Sequence, residues 1–220
     1  MPVTISGSGT ITGITTGGLP DGSIAAGDLA DNAVTAGKLA TTLDLTGKTV
    51  TLPSGTGGKI LQVQQTFKRD TASQLFTTTN TYQDISGMSV NITPVAANSN
   101  ILVMFNLHIN TALGGTGHIR LARGSDDTIA IGDAGQANQL RDTVMFRPTS
   151  TPYAYDQGNL SMTFLDDPTY TVGDTLTYKL RWTAGSTYTT TFYVNTTSSN
   201  TNSDYDPRPT SSITAIEVAA

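Results

Sequence analysis

Ile101-Leu102-Val103-Met104-Phe105-Asn106-Leu107-His108-Ile109-Asn110 is the stretch that decides the fold class. Side chains alternate across a strand, so Ile101, Val103, Phe105, Leu107 and Ile109 share one face and Leu102, Met104, Asn106, His108 and Asn110 the other. The first face is wholly apolar and the second mixed. That pattern predicts a central strand with a hydrophobic core beneath it.

Similar patterns flank it. Leu61, Val63 and Phe67 share one face of a strand whose opposite face carries Gln62, Gln64 and Lys68, and Met88, Val90 and Ile92 alternate with Ser89, Asn91 and Thr93 up to Pro94. Further strands are predicted at 118–123, 143–147, 160–165, 175–183, 191–195 and 212–218. Within 175–183, Leu176, Tyr178, Leu180 and Trp182 face one way and Thr175, Thr177, Lys179 and Arg181 the other. The final strand sets Ile213 and Ala215 against Ile216 and Val218, so both its sides are expected to meet protein. Short strands separated by turn residues predict an all-β sandwich or barrel, here a head domain over 59–220.

Composition agrees with that class. Of 220 residues only 13% are charged and 37% hydrophobic, while Thr, Ser, Asn and Gly, the residues of strands and turns, are abundant. A formal net charge of −5 offers no basic surface to phosphate backbones or anionic lipid, so nucleic acid is not an expected partner. The absence of cysteine excludes disulfides, thiolate chemistry and Cys-based zinc sites. Met1-Pro2-Val3-Thr4-Ile5-Ser6-Gly7 has neither the basic start nor the apolar run of a secretion signal, and no apolar stretch approaches the roughly 20 residues that span a bilayer. The expectation is a soluble protein made without export, with no membrane insertion.

Residues 1–58 differ from the rest, being rich in glycine and poor in large apolar side chains. Such a segment cannot by itself offset an ordering entropy of about 1–2 kcal/mol per residue. It is either a flexible low-complexity linker or a segment ordered by other chains. A ten-residue repeat favours the second reading: Ser23-Ile24-Ala25-Ala26-Gly27-Asp28-Leu29-Ala30-Asp31-Asn32 precedes Ala33-Val34-Thr35-Ala36-Gly37-Lys38-Leu39-Ala40-Thr41-Thr42. Ile24 matches Val34 and Leu29 matches Leu39, so apolar anchors recur every five residues. Two copies are too few to stack into a core within one chain, whereas parallel copies from identical chains would form one. Ile24, Leu29, Val34 and Leu39 are therefore candidate interface residues, and 19–58 a candidate stalk.

Two stretches carry a family resemblance. Gly18-Leu19-Pro20-Asp21-Gly22-Ser23-Ile24, leading into Leu29-Ala30-Asp31-Asn32-Ala33-Val34-Thr35-Ala36-Gly37-Lys38-Leu39-Ala40, resembles the stalk segments of short tailed-bacteriophage fibre proteins, especially those of marine and cyanobacterial phages. Val172-Gly173-Asp174-Thr175-Leu176-Thr177-Tyr178-Lys179-Leu180 and Ser212-Ile213-Thr214-Ala215-Ile216-Glu217-Val218 resemble strands of the trimeric jelly-roll heads of the complement and tumour necrosis factor type. The resemblance implies a parallel homotrimer in the virion, a fibre anchored through residues 1–18 with an antiparallel jelly-roll head carried outward, and Ile216 and Val218 near the threefold axis. It leaves tail, neck and capsid vertex open as attachment points. A decoration or joining protein that binds no receptor is the alternative function.

Motifs for catalysis are weak. Gly7-Ser8-Gly9-Thr10-Ile11-Thr12-Gly13 has its last glycine one position late for a dinucleotide fingerprint, and Ser54-Gly55-Thr56-Gly57-Gly58-Lys59-Ile60 lacks the leading glycine and the hydroxyl residue of a P-loop. A nucleophilic triad would have to use His108 or His118, each on the less apolar face of its strand. His108 with Asn106 and Asn110 instead suits a polar layer between subunits. The acidic pairs Asp126-Asp127 and Asp166-Asp167, and Asp204 with Asp206, follow no calcium-loop spacing and read as turn formers. No enzyme activity, cofactor or metal is expected. Receptor or glycan contacts are assigned to two loops, through Tyr153, Tyr155 and Asp156 in the first and Tyr205 and Arg208 in the second, because tyrosine offers contact area at low entropic cost.

Overall fold

The structure is a computed structural model that describes residues 59–77, 81–111, 115–125, 127–133, 135–137, 139–148, 155–185 and 189–220, together with Leu29, Val34, Thr35, Thr46 and Gly47. Ile24 and Leu39 therefore lie outside the described residues, as does most of the predicted stalk. The strands all belong to the compact unit Pro53–Ala220. They are β1 (Ile60–Lys68), β2 (Ala72–Phe76), β3 (Gln83–Ile92), β4 (Asn100–Thr111), β5 (Gly117–Arg123), β6 (Asp127–Ile129), β7 (Val144–Phe146), β8 (Gly158–Asp166), β9 (Leu176–Ala184), β10 (Thr190–Val194) and β11 (Ser211–Val218).

All pairings are antiparallel and they build two sheets. In the first, β4 pairs with β8 along one edge. Along its other edge it pairs with β11 over Asn100–Asn106 and with β10 over Ile109–Thr111, so β10 and β11 lie end to end. β1 and β2 continue the same arrangement, pairing with β11 and β10 respectively. In the second sheet the order is β3, β9, β5, with β6 and β7 end to end on the free edge of β5. With each end-to-end pair taken as one strand, sequence positions 1-8-3-6 form the first sheet and 2-7-4-5 the second. The chain is an all-β protein with the architecture of a β-sandwich.

The core lies between the sheets, and the alternation in β4 is realised: Ile101, Val103, Phe105, Leu107 and Ile109 are all buried. From the second sheet Tyr178, Leu180 and Trp182 of β9, Ile85, Met88, Val90 and Ile92 of β3, and Ile119 and Leu121 of β5 meet them. Phe76, Trp182 and Phe192 form an aromatic cluster spanning the sheets, with ring centroids 5.3–6.0 Å apart. Each such side chain, fully buried, contributes about 1.5–3 kcal/mol.

β1 breaks the simple pattern. Its polar face, Gln62, Gln64, Thr66 and Lys68, is level with the inward-facing Glu217, Ala215, Ile213 and Ser211 of β11, while Leu61, Val63 and Phe67 face outward and are exposed. Polar groups on that inner face have specific partners. Gln62 Nε2 donates to Glu217 Oε2 (2.6 Å) and to Thr93 O (2.7 Å). Buried Lys68 pairs with Asp70 at 2.9 Å and lies under a bulge of β3, where Gly87 has φ +75° and any side chain would meet the Lys68 chain at 3.2 Å.

Glu217 is fully buried, and its carboxylate accepts hydrogen bonds from Val95 N and Ala96 N, which pins the 93–98 connection across that end of the sandwich. Tyr170 OH completes this closure, donating to Ala96 O at 2.7 Å and accepting from Ser99 N at 2.8 Å. Burial alone would raise the Glu217 pKa, but the Gln62 amide and the Val95 and Ala96 N–H groups together outweigh it and hold the carboxyl below its ordinary value. A depressed folded-state pKa lends stability that is present above the unfolded value, near 4.5, and is lost as pH falls through the folded-state value. Between about pH 6 and about pH 3 the wild type is therefore expected to lose more stability in urea titrations than Glu217→Gln, which has no proton to take up at this position. Parallel pH profiles for the two chains would contradict this.

Candidate functional site

Two regions gather the predicted residues. The first is the outer face of the first sheet, where the register sets Val63, Ile216, Leu102 and Leu165 side by side across β1, β11, β4 and β8. Val63 and Leu165 are each 54% exposed, and Ile216 and Leu102 between them are half-buried. The next row is Gln65, Thr214, Met104 and Thr163, with Gln65 Nε2 bonded to Thr214 Oγ1, and the next Phe67, Ser212, Asn106 and Ser161. Val218 lies beside Ile60 at the end where the chain enters β1. An apolar row thus crosses the whole outer surface of this sheet.

The outer face of the second sheet has the opposite character. Asp84 contacts Lys179 (2.8 Å) and Arg181 (3.1 Å), Thr177 bonds Asn91, and the Arg120 guanidinium lies 3.8 Å from the centroid of the Tyr82 ring. Antiparallel sheets commonly turn a polar face to water, and this one does.

On the first sheet's outer face, Asn106 Oδ1 is buried with no hydrogen-bond donor among the described residues. His108 lies two residues further along β4, and burial lowers its pKa. Asn110, grouped with these two on sequence grounds, is used differently: it is fully buried and holds two loops, donating through Nδ2 to Asp156 O (2.6 Å) and accepting at Oδ1 from Ser198 N (2.9 Å). It is committed within its own chain. Of the predicted stalk anchors, Leu29 and Val34 are described, and both are exposed.

Those two loops form the second region. Tyr155 and Tyr205, far apart in sequence, meet with ring centroids 6.0 Å apart and planes at 88°. Arg208 NH2 donates to Asn200 Oδ1 at 2.6 Å on the same loop as Tyr205. Tyr153 lies outside the described residues.

Asp206 organises the loop, accepting from Thr197 Oγ1, from Thr201 Oγ1 and from Thr201 N. The Thr197 and Thr201 hydroxyls hold its carboxyl below the ordinary value. It serves as the loop's hub, and among the described residues no three His, Asp or Glu side chains converge as a metal site. Asp206→Ala is expected to speed amide exchange over 196–208 by about tenfold or more while leaving exchange in β4 and β9 unchanged, as for a local opening. Uniform acceleration across the domain would contradict that.

Sequence reading did not foresee the partners of His118. Its Nδ1 lies 2.5 Å from Asp142 Oδ2, and Tyr82 OH donates to Asp142 Oδ1 at the same distance. Burial, then the Asp142 carboxylate, pushes the Tyr82 hydroxyl pKa up. A His–carboxylate pair is part of a nucleophilic triad, but Nε2 faces the backbone at Gly185, and no hydroxyl among the described residues is bonded to it. The cluster ties the 132–142 segment to β5, assisted by Arg120 Nε to Arg141 O and Arg141 Nε to Gly132 O. Asp166 similarly joins the sheets, accepting from Arg123 NH1 (2.6 Å) and Tyr178 OH (2.7 Å).

The chain matches no protein-family model and no curated protein.

Proposed function

We propose that this chain is a virion structural protein: a parallel homotrimeric phage fibre anchored by residues 1–18, with a stalk over 19–58 and a jelly-roll head from Lys59 that faces the host surface. The resemblance of the stalk segment to those of phage fibres supplies the virus assignment. The strand orders 1-8-3-6 and 2-7-4-5, with successive strands repeatedly crossing between the sheets, support a jelly roll for the head.

The observation that carries the assembly is the row Val63, Ile216, Leu102 and Leu165 across a sheet face with no cover among the described residues. Contiguous apolar surface of this kind marks an interaction site on a water-soluble protein. Identical copies would supply that cover.

Mass spectrometry and gold labelling of purified particles, with antibody to the head, test the virion assignment. The account expects the chain in the particle and label on its projections, at tail, neck or vertex. A chain abundant in infected-cell lysate but missing from purified particles would overturn it. Particles that carry the chain yet adsorb to cells unimpeded by excess free protein would favour a decoration or joining role.

A further inference from the structure

Tyr155 and Tyr205 meet near the point where buried Asn110 holds the backbone at Asp156 and Ser198. Tyr205 is 67% exposed and Tyr155 41% exposed, and their rings make a right-angled corner. Exposed aromatics on slack loops would collapse onto the nearest apolar surface, but here buried Asn110 clamps both backbones and Asp206 ties the second loop to itself. Neither tyrosine hydroxyl has a partner among the described residues. Arg208 uses only NH2, and Asn200 Nδ2 is uncommitted. The corner therefore offers fixed ring faces together with several free hydrogen-bonding groups of modest net charge.

Its position in the fold is equally specific. The chain enters β1 from Lys59, whose carbonyl accepts from Ala219 N beside the Asn100 end of β4. Asn110 lies ten residues along that strand, about 33 Å away at about 3.3 Å per residue. The corner is thus at the opposite end of the sandwich from the incoming chain.

We infer that the Tyr155–Tyr205 corner is a binding site for a neutral glycan, one pyranose laying its C–H face on an aromatic ring while its hydroxyls reach Arg208, Asn200 and the phenol groups. This rests on the reading of the domain as a head carried outward. A pyranose needs an apolar face and hydrogen-bonding groups; the exposed Tyr155 and Tyr205 rings offer the first, and their hydroxyls together with Arg208 on the Tyr205 loop the second. The formal charge of −5 and the neighbouring Asp204 disfavour sulfated or phosphorylated polymers. The Asn110 bonds at Asp156 and Ser198 and the Asp206 bonds within the second loop lower the ordering cost of binding.

Saturation-transfer NMR on the full chain with methyl α-glucoside, methyl α-mannoside, methyl β-galactoside and methyl α-rhamnoside tests it. At least one sugar is expected to receive saturation on its C–H protons from the wild type. Tyr205→Ala and Tyr155→Ala should each weaken that binding about tenfold or more, while Tyr205→Phe keeps most of it. Silence from all four sugars, or equal binding by Tyr205→Ala, would overturn the inference. Sedimentation of the same samples separates the two levels: a trimer that binds no sugar defeats the glycan site alone, and a monomer that binds sugar defeats the fibre reading alone.

Discussion

Ile216→Asp is expected to give a folded chain that no longer assembles. Ile216 is in the middle of the apolar row, with Val63 on one side and Leu102 on the other. A carboxylate there would be harmless on a free, hydrated sheet face. Between subunits it would be desolvated without a partner and repeated in each copy, at a cost of at least about 3 kcal/mol per chain, or a weakening of more than about a hundredfold. Circular dichroism should remain that of a β protein while sedimentation falls to the 23.0 kDa chain. Asn91→Asp, on the polar outer face of the second sheet, controls for charge alone and should leave assembly unchanged. If Ile216→Asp assembles as well as wild type, this face is not the interface.

Asn195→Ala is expected to destabilise the head by about 3–5 kcal/mol, an apparent Tm loss of about 10 °C or more at fixed protein concentration. Asn195 is at the break between β10 and β11, where the strand line leaves the sheet for the 195–210 loop. It is fully buried with φ 57°, a left-handed conformation that asparagine tolerates better than alanine. Its Nδ2 donates to Lys68 O and Asp70 O, both at 3.0 Å, and its Oδ1 accepts from Ser211 Oγ at 2.6 Å. Ser211 Oγ accepts in turn from His108 N, and Asn195 N donates to His108 O. The side chain therefore joins β1 to β11, and through Ser211 reaches β4, where the ladder is interrupted. Asn195→Gly restores the backbone freedom but not these bonds, so it should recover only about 1 kcal/mol of the loss. A loss below about 1 kcal/mol for the alanine variant, by urea unfolding, would contradict this role.

The sandwich was legible where strand alternation follows simple burial. β4 and β9 read correctly because one face of each meets only the core, and β8, β10 and β11 fell within a residue or two of their expected ends. β2 and β6 were missed: Ala72–Phe76 and Asp127–Ile129 are short, mixed stretches that become strands through their neighbours' edges. β1 gave the right alternation, but its apolar face is the outward one, since Gln62 and Lys68 find hydrogen bonds at the rim of the sandwich that no local pattern announces. Glu217 carried a readable signal, a carboxylate in phase with Ile213 and Ala215, which marks a buried acid awaiting donors. The meeting of Tyr155 with Tyr205 carried none, because it depends on Asn110 holding together two loops that are distant in sequence. Local periodicity reports faces, and long-range hydrogen bonds decide which loops meet.

Sedimentation equilibrium of the intact wild-type chain bears most directly on the central claim. The account predicts a single species of three times 23.0 kDa across the micromolar range, held together by the Val63, Ile216, Leu102 and Leu165 face. A stable 23.0 kDa monomer at those concentrations would contradict it.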